Sequence, residues 1–251
     1  MNTRLLPLLS LLVATGCTVD ASQDVSSTAQ TQDLTADTAS NAKAAQIEDL
    51  KSQILDIAYA NYGSRENLIN VRASIQPLVD QLAAFRTPTN AIDDLKALEG
   101  SWLQVWGDDV EPEPPGGSIQ YKQTYQVISS KGYFYNLSDI KFGPFTVKGI
   151  LRGKYEDKGE YLGIEFTRVG VQLGGLNKNR NLVEYVEAIE AGNERLIGQP
   201  GGGQAPNGPV GQQGRLKNLY IDDNFRVSTG FNLRDSKQDI FVLVRTEKPV
   251  K

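Results

Sequence analysis

LYIDDNFRVSTGFNLRDSKQDIFVLVR, residues 219–245, carries the clearest strand signal in the chain. Its second apolar run, residues 240–244, is a nearly unbroken series of β-branched, leucine and phenylalanine side chains. The first apolar run ends at Val227, and Gly230 and Asn232 favour a turn between the two runs. A strand as apolar as residues 240–244 needs cover on both faces. We therefore predict two strands joined by a polar turn, the second of them a closing strand inside a sheet.

Alternating segments upstream extend this sheet. Apolar and polar side chains alternate through residues 118–129, 133–137, 145–155 and 162–166, with tight turns between them. This pattern predicts an antiparallel sheet or barrel with one buried face. We expect nine side chains to point inward as a candidate barrel lining: Tyr121, Tyr125, Phe145, Val147, Leu151, Tyr155, Leu162, Ile164 and Phe166. Small eight-stranded barrels are either filled or hollow, so both outcomes stay open.

A helical segment precedes the strands, over residues 42–97. Apolar side chains recur every three or four residues through 47–57 and 68–82, which is the period of amphipathic helices. Ser64 is expected to cap the second helix, and Pro77 is expected to kink or divide it.

Two later segments interrupt the strand pattern. Residues 181–191, NLVEYVEAIEA, fit either a short helix or a strand. Residues 198–214, GQPGGGQAPNGPVGQQG, have almost no hydrophobic content, and we predict a disordered loop. The glycines of this loop do not form a phosphate-binding motif, because no Lys-Ser/Thr pair follows them.

The first 41 residues predict a lipid anchor and a tether. Residues 1–16 have the form of a secretory signal peptide whose apolar run is too short to span a bilayer. This run ends in VATGC, which resembles a bacterial lipobox and implies cleavage before Cys17 and acylation of its thiol. Two or three acyl chains would hold the protein at a membrane. Thr18 in place of aspartate resembles outer-membrane sorting, so we expect a bacterial envelope protein on the periplasmic face of the outer membrane. Residues 17–41 are small and polar and predict a disordered tether behind the acylated cysteine.

The composition excludes several classes of function. The net charge of −4 and the pI of about 5.1 argue against a nucleic-acid partner. The chain has no histidine and one cysteine, which excludes Ser-His-Asp and Cys-His catalysis and zinc sites built from Cys and His. Asp222, Asp223 and Asp239 do not have the spacing of an EF-hand. We therefore predict no catalysis, no metal and no cofactor.

Two motifs resemble those of a known family. Residues 220–228, with a tyrosine, two aspartates and Phe-Arg-Val-Ser, and residues 241–245, FVLVR, resemble the C-terminal signature of the plastid lipid-associated protein (fibrillin) family. Residues 98–102, LEGSW, resemble the Leu-x-Gly-x-Trp entry of lipocalin-like barrels, which follows a helical segment in this family.

The resemblance implies a mainly β (α+β) fold, a lipocalin-like antiparallel β-barrel over residues 98–251 behind an N-terminal helical segment. It implies structural closure of one end by Gly100 and Trp102, with Arg226 or Arg245 lying across the indole in a cation–π contact of roughly 1–2 kcal/mol. It also implies binding of an apolar or amphipathic small molecule (lipid, isoprenoid or quinone-like) without catalysis. The alternative is a scaffold lipoprotein with a filled barrel whose surface binds an unknown protein partner.

Overall fold

The computed structural model describes residues 28–64, 67–86, 91–108, 119–200, 209–232 and 238–250. The chain divides into two compact units, residues 1–43 and 44–251. In the first unit the described residues, 28–43, are helical, and the side chains from Thr38 to Lys43 are exposed. The predicted signal peptide and Cys17 lie outside the described residues.

Four α-helices are described: α1 (Thr28–Ala60), α2 (Leu68–Ala84), α3 (Ala91–Leu98) and α4 (Leu182–Glu190). The predicted start of α2 at Ser64 is wrong, because α2 begins after Asn67, which has a left-handed backbone with φ 56°. The predicted kink at Pro77 does not divide α2. Pro77 lies on the exposed face, and the opposite face of α2 is held by four buried side chains: Val71, Ile75, Val79 and Leu82. No described helix combines the length and apolar composition needed to cross a membrane.

Nine strands are described: β1 (Gly100–Gly107), β2 (Ile119–Ser129), β3 (Tyr133–Phe142), β4 (Phe145–Asp157), β5 (Leu162–Leu173), β6 (Gln199–Pro200), β7 (Gln213–Ile221), β8 (Phe225–Asn232) and β9 (Gln238–Arg245). Their order is β4-β3-β2-β1-β9-β8-β7-β5-β6, and β4 also pairs with β5. The β4–β5 pairing closes an eight-stranded antiparallel barrel, with β6 as a short addition on β5. The predicted barrel is therefore confirmed.

The two strands predicted within residues 219–245 differ in outcome: the second corresponds to β9, whereas the first is divided between β7 and β8. β9 lies between β1 and β8, and its residues 240–243 are all buried, as a closing strand requires. Residues 219–227 belong to two strands, because the chain turns between β7 and β8. The Asp222 carboxylate stabilises this turn by accepting hydrogen bonds from the backbone N–H groups of Asn224 (2.9 Å) and Phe225 (2.8 Å).

In three other segments the structure either departs from the predicted secondary structure or decides between two predicted alternatives. Helix α1 begins at Thr28, inside the predicted tether, where alanine and glutamine residues favour helix formation. Residues 181–191 form α4, whose first turn is capped by the Asn181 side chain. Both ends of the predicted disordered loop 198–214 are ordered, because residues 199–200 pair with β5 and β7 begins at Gln213. Residues 201–208 lie outside the described part of the chain.

Two apolar cores lie on the two faces of the barrel wall. The inner core joins side chains from strands that are far apart in the sheet order, which can meet only inside a closed barrel: Trp102, Ile128, Phe134, Leu162, Ile164, Leu216, Phe241 and Leu243, with Leu98 from α3. The outer core joins the opposite face of the strands to helices α1, α2 and α4. Its members include both helix and strand side chains: Ile54, Ile75, Val186, Tyr125, Val127, Leu137, Phe225 and Val242.

Candidate functional site: a cavity in the barrel

A cavity of about 410 Å³, partly open to solvent, lies inside the barrel and is lined by residues of β1 to β5. The inner core fills the other end of the barrel, where α3 leads into β1. The barrel is therefore packed at one end and hollow at the other. The volume falls within the range of about 300–1,000 Å³ that is typical of small-molecule sites.

One wall of the cavity is polar. It consists of Gln104 on β1, Thr124 on β2, and Asn136 and Ser138 on β3. The hydroxyl oxygens of Thr124 and Ser138 lie 3.2 Å apart and share a hydrogen bond. The buried Oδ1 of Asn136 has no hydrogen-bond partner among the described residues. This wall can therefore bind a polar group, since a buried unpaired acceptor favours any ligand or water that donates to it.

The adjoining wall is apolar. Ile140, Leu151, Val169 and Val171 line it from β3, β4 and β5. Gly149 lies among them, and a Cβ there would come within 2.9 Å of the Ile140 Cδ1 atom, so the glycine keeps this wall open. The two walls together suit an amphipathic molecule.

The turn between α1 and α2 lines the cavity as well. Asn61, Tyr62 and Gly63 contribute from this turn, and Trp106 contributes from β1. The buried Tyr62 hydroxyl and the Trp106 Nε1 atom have no hydrogen-bond partner within the described part of the chain. Burial raises the pKa of Tyr62 above its ordinary value, with a smaller contribution from Tyr59, so its hydroxyl remains a proton donor at neutral pH.

Two arginines close the packed end around one indole ring. The guanidinium carbon of Arg245 lies 3.8 Å from the centre of the Trp102 ring, and that of Arg226 lies 5.0 Å from it. Arg245 also donates hydrogen bonds to the backbone carbonyl oxygens of Glu99 and Ala97. Gly100 leaves room for this contact, because a Cβ there would lie 2.6 Å from the Arg245 Nη1 atom. The family resemblance implied that either Arg226 or Arg245 lies across the Trp102 ring, and in the structure both do.

Arg226 differs from Arg245 in its surroundings. Its side chain is fully buried and donates one hydrogen bond to the Gln126 side chain, while its Nε and Nη1 atoms have no partner among the described residues. Burial lowers the pKa of Arg226, and the like charge of Arg245 lowers it further. An arginine still stays charged at neutral pH, so the packed end contains a cation whose charge is poorly compensated.

The nine predicted lining residues separate into five groups. Leu151 lines the cavity. Leu162 and Ile164 are in the inner core, with Tyr155 and Phe166 packed against it. Val147 is partly buried, and its strand register places it on the inward face next to Ile140. Two further predicted positions are wrong, and the side chain of Tyr121 lies outside the described residues.

Tyr125 and Phe145 do not point into the barrel. Tyr125 is buried in the outer core, where its hydroxyl accepts a hydrogen bond from the Val250 N–H (2.9 Å) and donates one to the Gln123 side chain (2.7 Å). Burial raises its pKa. Phe145 begins β4 and is 60% exposed, because β4 extends beyond the cavity at this end.

The polar wall is the part of the site that sequence reasoning missed. The prediction assigned Thr124 and its neighbours to solvent, because apolar faces were expected to point inward. Helix α4 instead packs on the apolar outer face of β2, and the outer core continues over the apolar side chains of β3, so the polar face of these strands is the inner one. The signal that could have indicated this was the amphipathic pattern of residues 182–189, whose apolar face needs a sheet to cover.

Asp222, at the β7–β8 turn, has a structural role. Asp222 forms an ion pair with Lys51 of α1 at 2.7 Å. Burial opposes ionisation of Asp222, but the hydrogen bonds from Lys51 and the turn backbone outweigh it and lower its pKa. The described residues contain no cluster of three or more His, Cys, Asp or Glu side chains that could hold a metal ion.

Comparison with known proteins agrees with the barrel and its preceding helices. Residues 48–244 match the PAP_fibrillin family, which covers α1 from its middle, the remaining helices and the strands through most of β9. No curated protein matches the chain significantly. Because the match extends over well more than half of the chain, the chain belongs to the PAP_fibrillin family.

Proposed function

We propose that this protein binds an apolar or amphipathic small molecule, of the lipid, isoprenoid or quinone-like class, in the barrel cavity without catalysing its conversion. The single observation that carries the proposal is a cavity of about 410 Å³ with one polar and one apolar wall. Membership of a lipid-associated family supports the same class of ligand. The unpaired polar atoms of Asn136 and Tyr62 are suited to the polar part of such a ligand.

The test is to fill the cavity. Val169→Trp places a large ring inside the hollow end, so saturable binding of a fluorescent fatty acid or isoprenoid analogue should be lost, while thermal unfolding stays cooperative. Glu165→Trp is the matched control, because Glu165 is an exposed residue of the same strand. If the parent shows no saturable binding, or if Val169→Trp binds like Glu165→Trp, the scaffold alternative is favoured.

We also propose that the barrel is held at a membrane by acyl chains on Cys17, on the periplasmic face of a bacterial outer membrane. The apolar run that ends at Gly16-Cys17 supports this. Two or more acyl chains would anchor the protein stably, whereas one would bind reversibly.

A further inference from the structure

β4 and β5 extend beyond the cavity and expose apolar side chains there. Phe145 is 60% exposed and Leu173 is 79% exposed. Val171, which is 40% exposed, also lines the cavity, so apolar surface continues from the cavity wall to the outside. A bridge between Val147 and Gly174 holds the two strand ends together. We call Phe145, Val147, Val171 and Leu173 the apolar ledge.

Two cations lie on the opposite face of the same strand end. Lys148 Nζ lies 5.1 Å and the Arg180 guanidinium carbon 4.8 Å from the centre of the Tyr185 ring. Neither cation forms an ion pair with a carboxylate of the described residues, and the nearby Asp139 is paired with Lys178 at 2.9 Å. Burial lowers the pKa of Lys148 and the charge of Arg180 lowers it further, and together they outweigh the opposing effect of the Asp139 charge.

The exposed Lys141 adds to this positive charge. It lies on β3 opposite Thr146, next to the start of the apolar ledge. The whole chain has a net charge of −4, so an uncompensated positive region is a local departure from its average. Uncompensated cations beside exposed apolar side chains are complementary to an anionic lipid surface, where phosphates meet acyl chains.

We propose that the apolar ledge docks on a bilayer that contains anionic phospholipid, with Lys148 and Arg180 contacting lipid phosphates, and that the cavity takes up its ligand from that bilayer. Docking stands on the exposed side chains and charges alone; only the uptake step rests on the proposed function. The continuity of the apolar ledge with the cavity favours a bilayer over a protein as the occupant, because the bilayer is also a source of ligand.

The test uses the full chain carrying Cys17→Ser, so that no acyl chain contributes, and vesicles of phosphatidylcholine alone or mixed equally with phosphatidylglycerol. We expect sedimentation with the mixed vesicles to exceed that with neutral vesicles. Phe145→Ser/Leu173→Ser should lower the partition coefficient about tenfold, because two exposed apolar side chains no longer insert. Lys148→Gln and Arg180→Gln should each lower it about fivefold, the factor that corresponds to ~1 kcal/mol per charge.

Lys154→Gln is the matched charge control, because Lys154 is an exposed residue at the other end of β4. It should bind vesicles like the parent. Equal binding of the parent to both kinds of vesicle, or unchanged binding by the Phe145→Ser/Leu173→Ser variant, would overturn the docking proposal.

Ligand binding in solution separates the two proposals. The Phe145→Ser/Leu173→Ser variant should still bind the fluorescent analogue in solution but should take it up from vesicles more slowly than the parent. Val169→Trp should still dock on vesicles while binding no analogue. Docking without ligand binding by the parent would contradict the proposed function and the uptake step while leaving docking supported.

Discussion

Arg226 and Arg245 contact the same indole and should respond in opposite ways to the same substitution. Arg226→Met removes a buried cation with little compensation, so the free energy of unfolding should stay unchanged or rise. Arg245→Met leaves the carbonyls of Ala97 and Glu99 without their donor, and should lower it by about 2–4 kcal/mol. Urea unfolding of both variants gives the comparison. A loss above about 1 kcal/mol for Arg226→Met would contradict this expectation, because it would mean that the Trp102 ring and the Gln126 side chain compensate the buried charge.

At the scale of the strand, the faces of the barrel wall should differ in their sensitivity to truncation. Leu137→Ala removes a fully buried side chain from the outer core and should lower the free energy of unfolding by about 2–5 kcal/mol. Leu151→Ala borders the cavity and loses fewer contacts, so we expect about 1 kcal/mol or less together with weaker ligand binding. Denaturant unfolding and titration with the fluorescent analogue measure the two effects. Equal stability losses would indicate that the hollow end closes around Leu151.

The strands were largely predictable from the sequence, but the face that each strand turns to the barrel interior was not. Alternation and turns predicted the β2–β5 strands, and the apolar run at residues 240–244 predicted the closing position of β9. Alternation separates two faces but does not say which one a helix will cover. Leu162 and Ile164 therefore met the expectation of an inward face, while Tyr125 did not. The amphipathic pattern of α4 indicates that some sheet face must cover it, but which strands it covers is a long-range property, so alternation alone did not predict the polar wall of the cavity.

At the scale of the whole molecule, anchoring and folding should be separable. Cys17→Ser removes the acylated thiol, so the protein should remain unprocessed or leave the membrane fraction, while the barrel unit that begins at Ala44 still folds. Fractionation of cells and thermal unfolding of the purified variant measure the two properties. Processing and membrane retention equal to those of the parent would contradict the lipoprotein hypothesis.

The pairing of β1 with β9 also determines when this protein can finish folding during its synthesis. Asp108, which follows β1, accepts a hydrogen bond from the backbone N–H of Ile240, 132 positions further along the chain. β1 is synthesised before all the other strands, and its second pairing partner, β9, is synthesised last. A nascent or truncated chain that contains β1 but stops before β9 therefore exposes an unpaired strand edge, which makes it a substrate for chaperones and proteases and prone to aggregation.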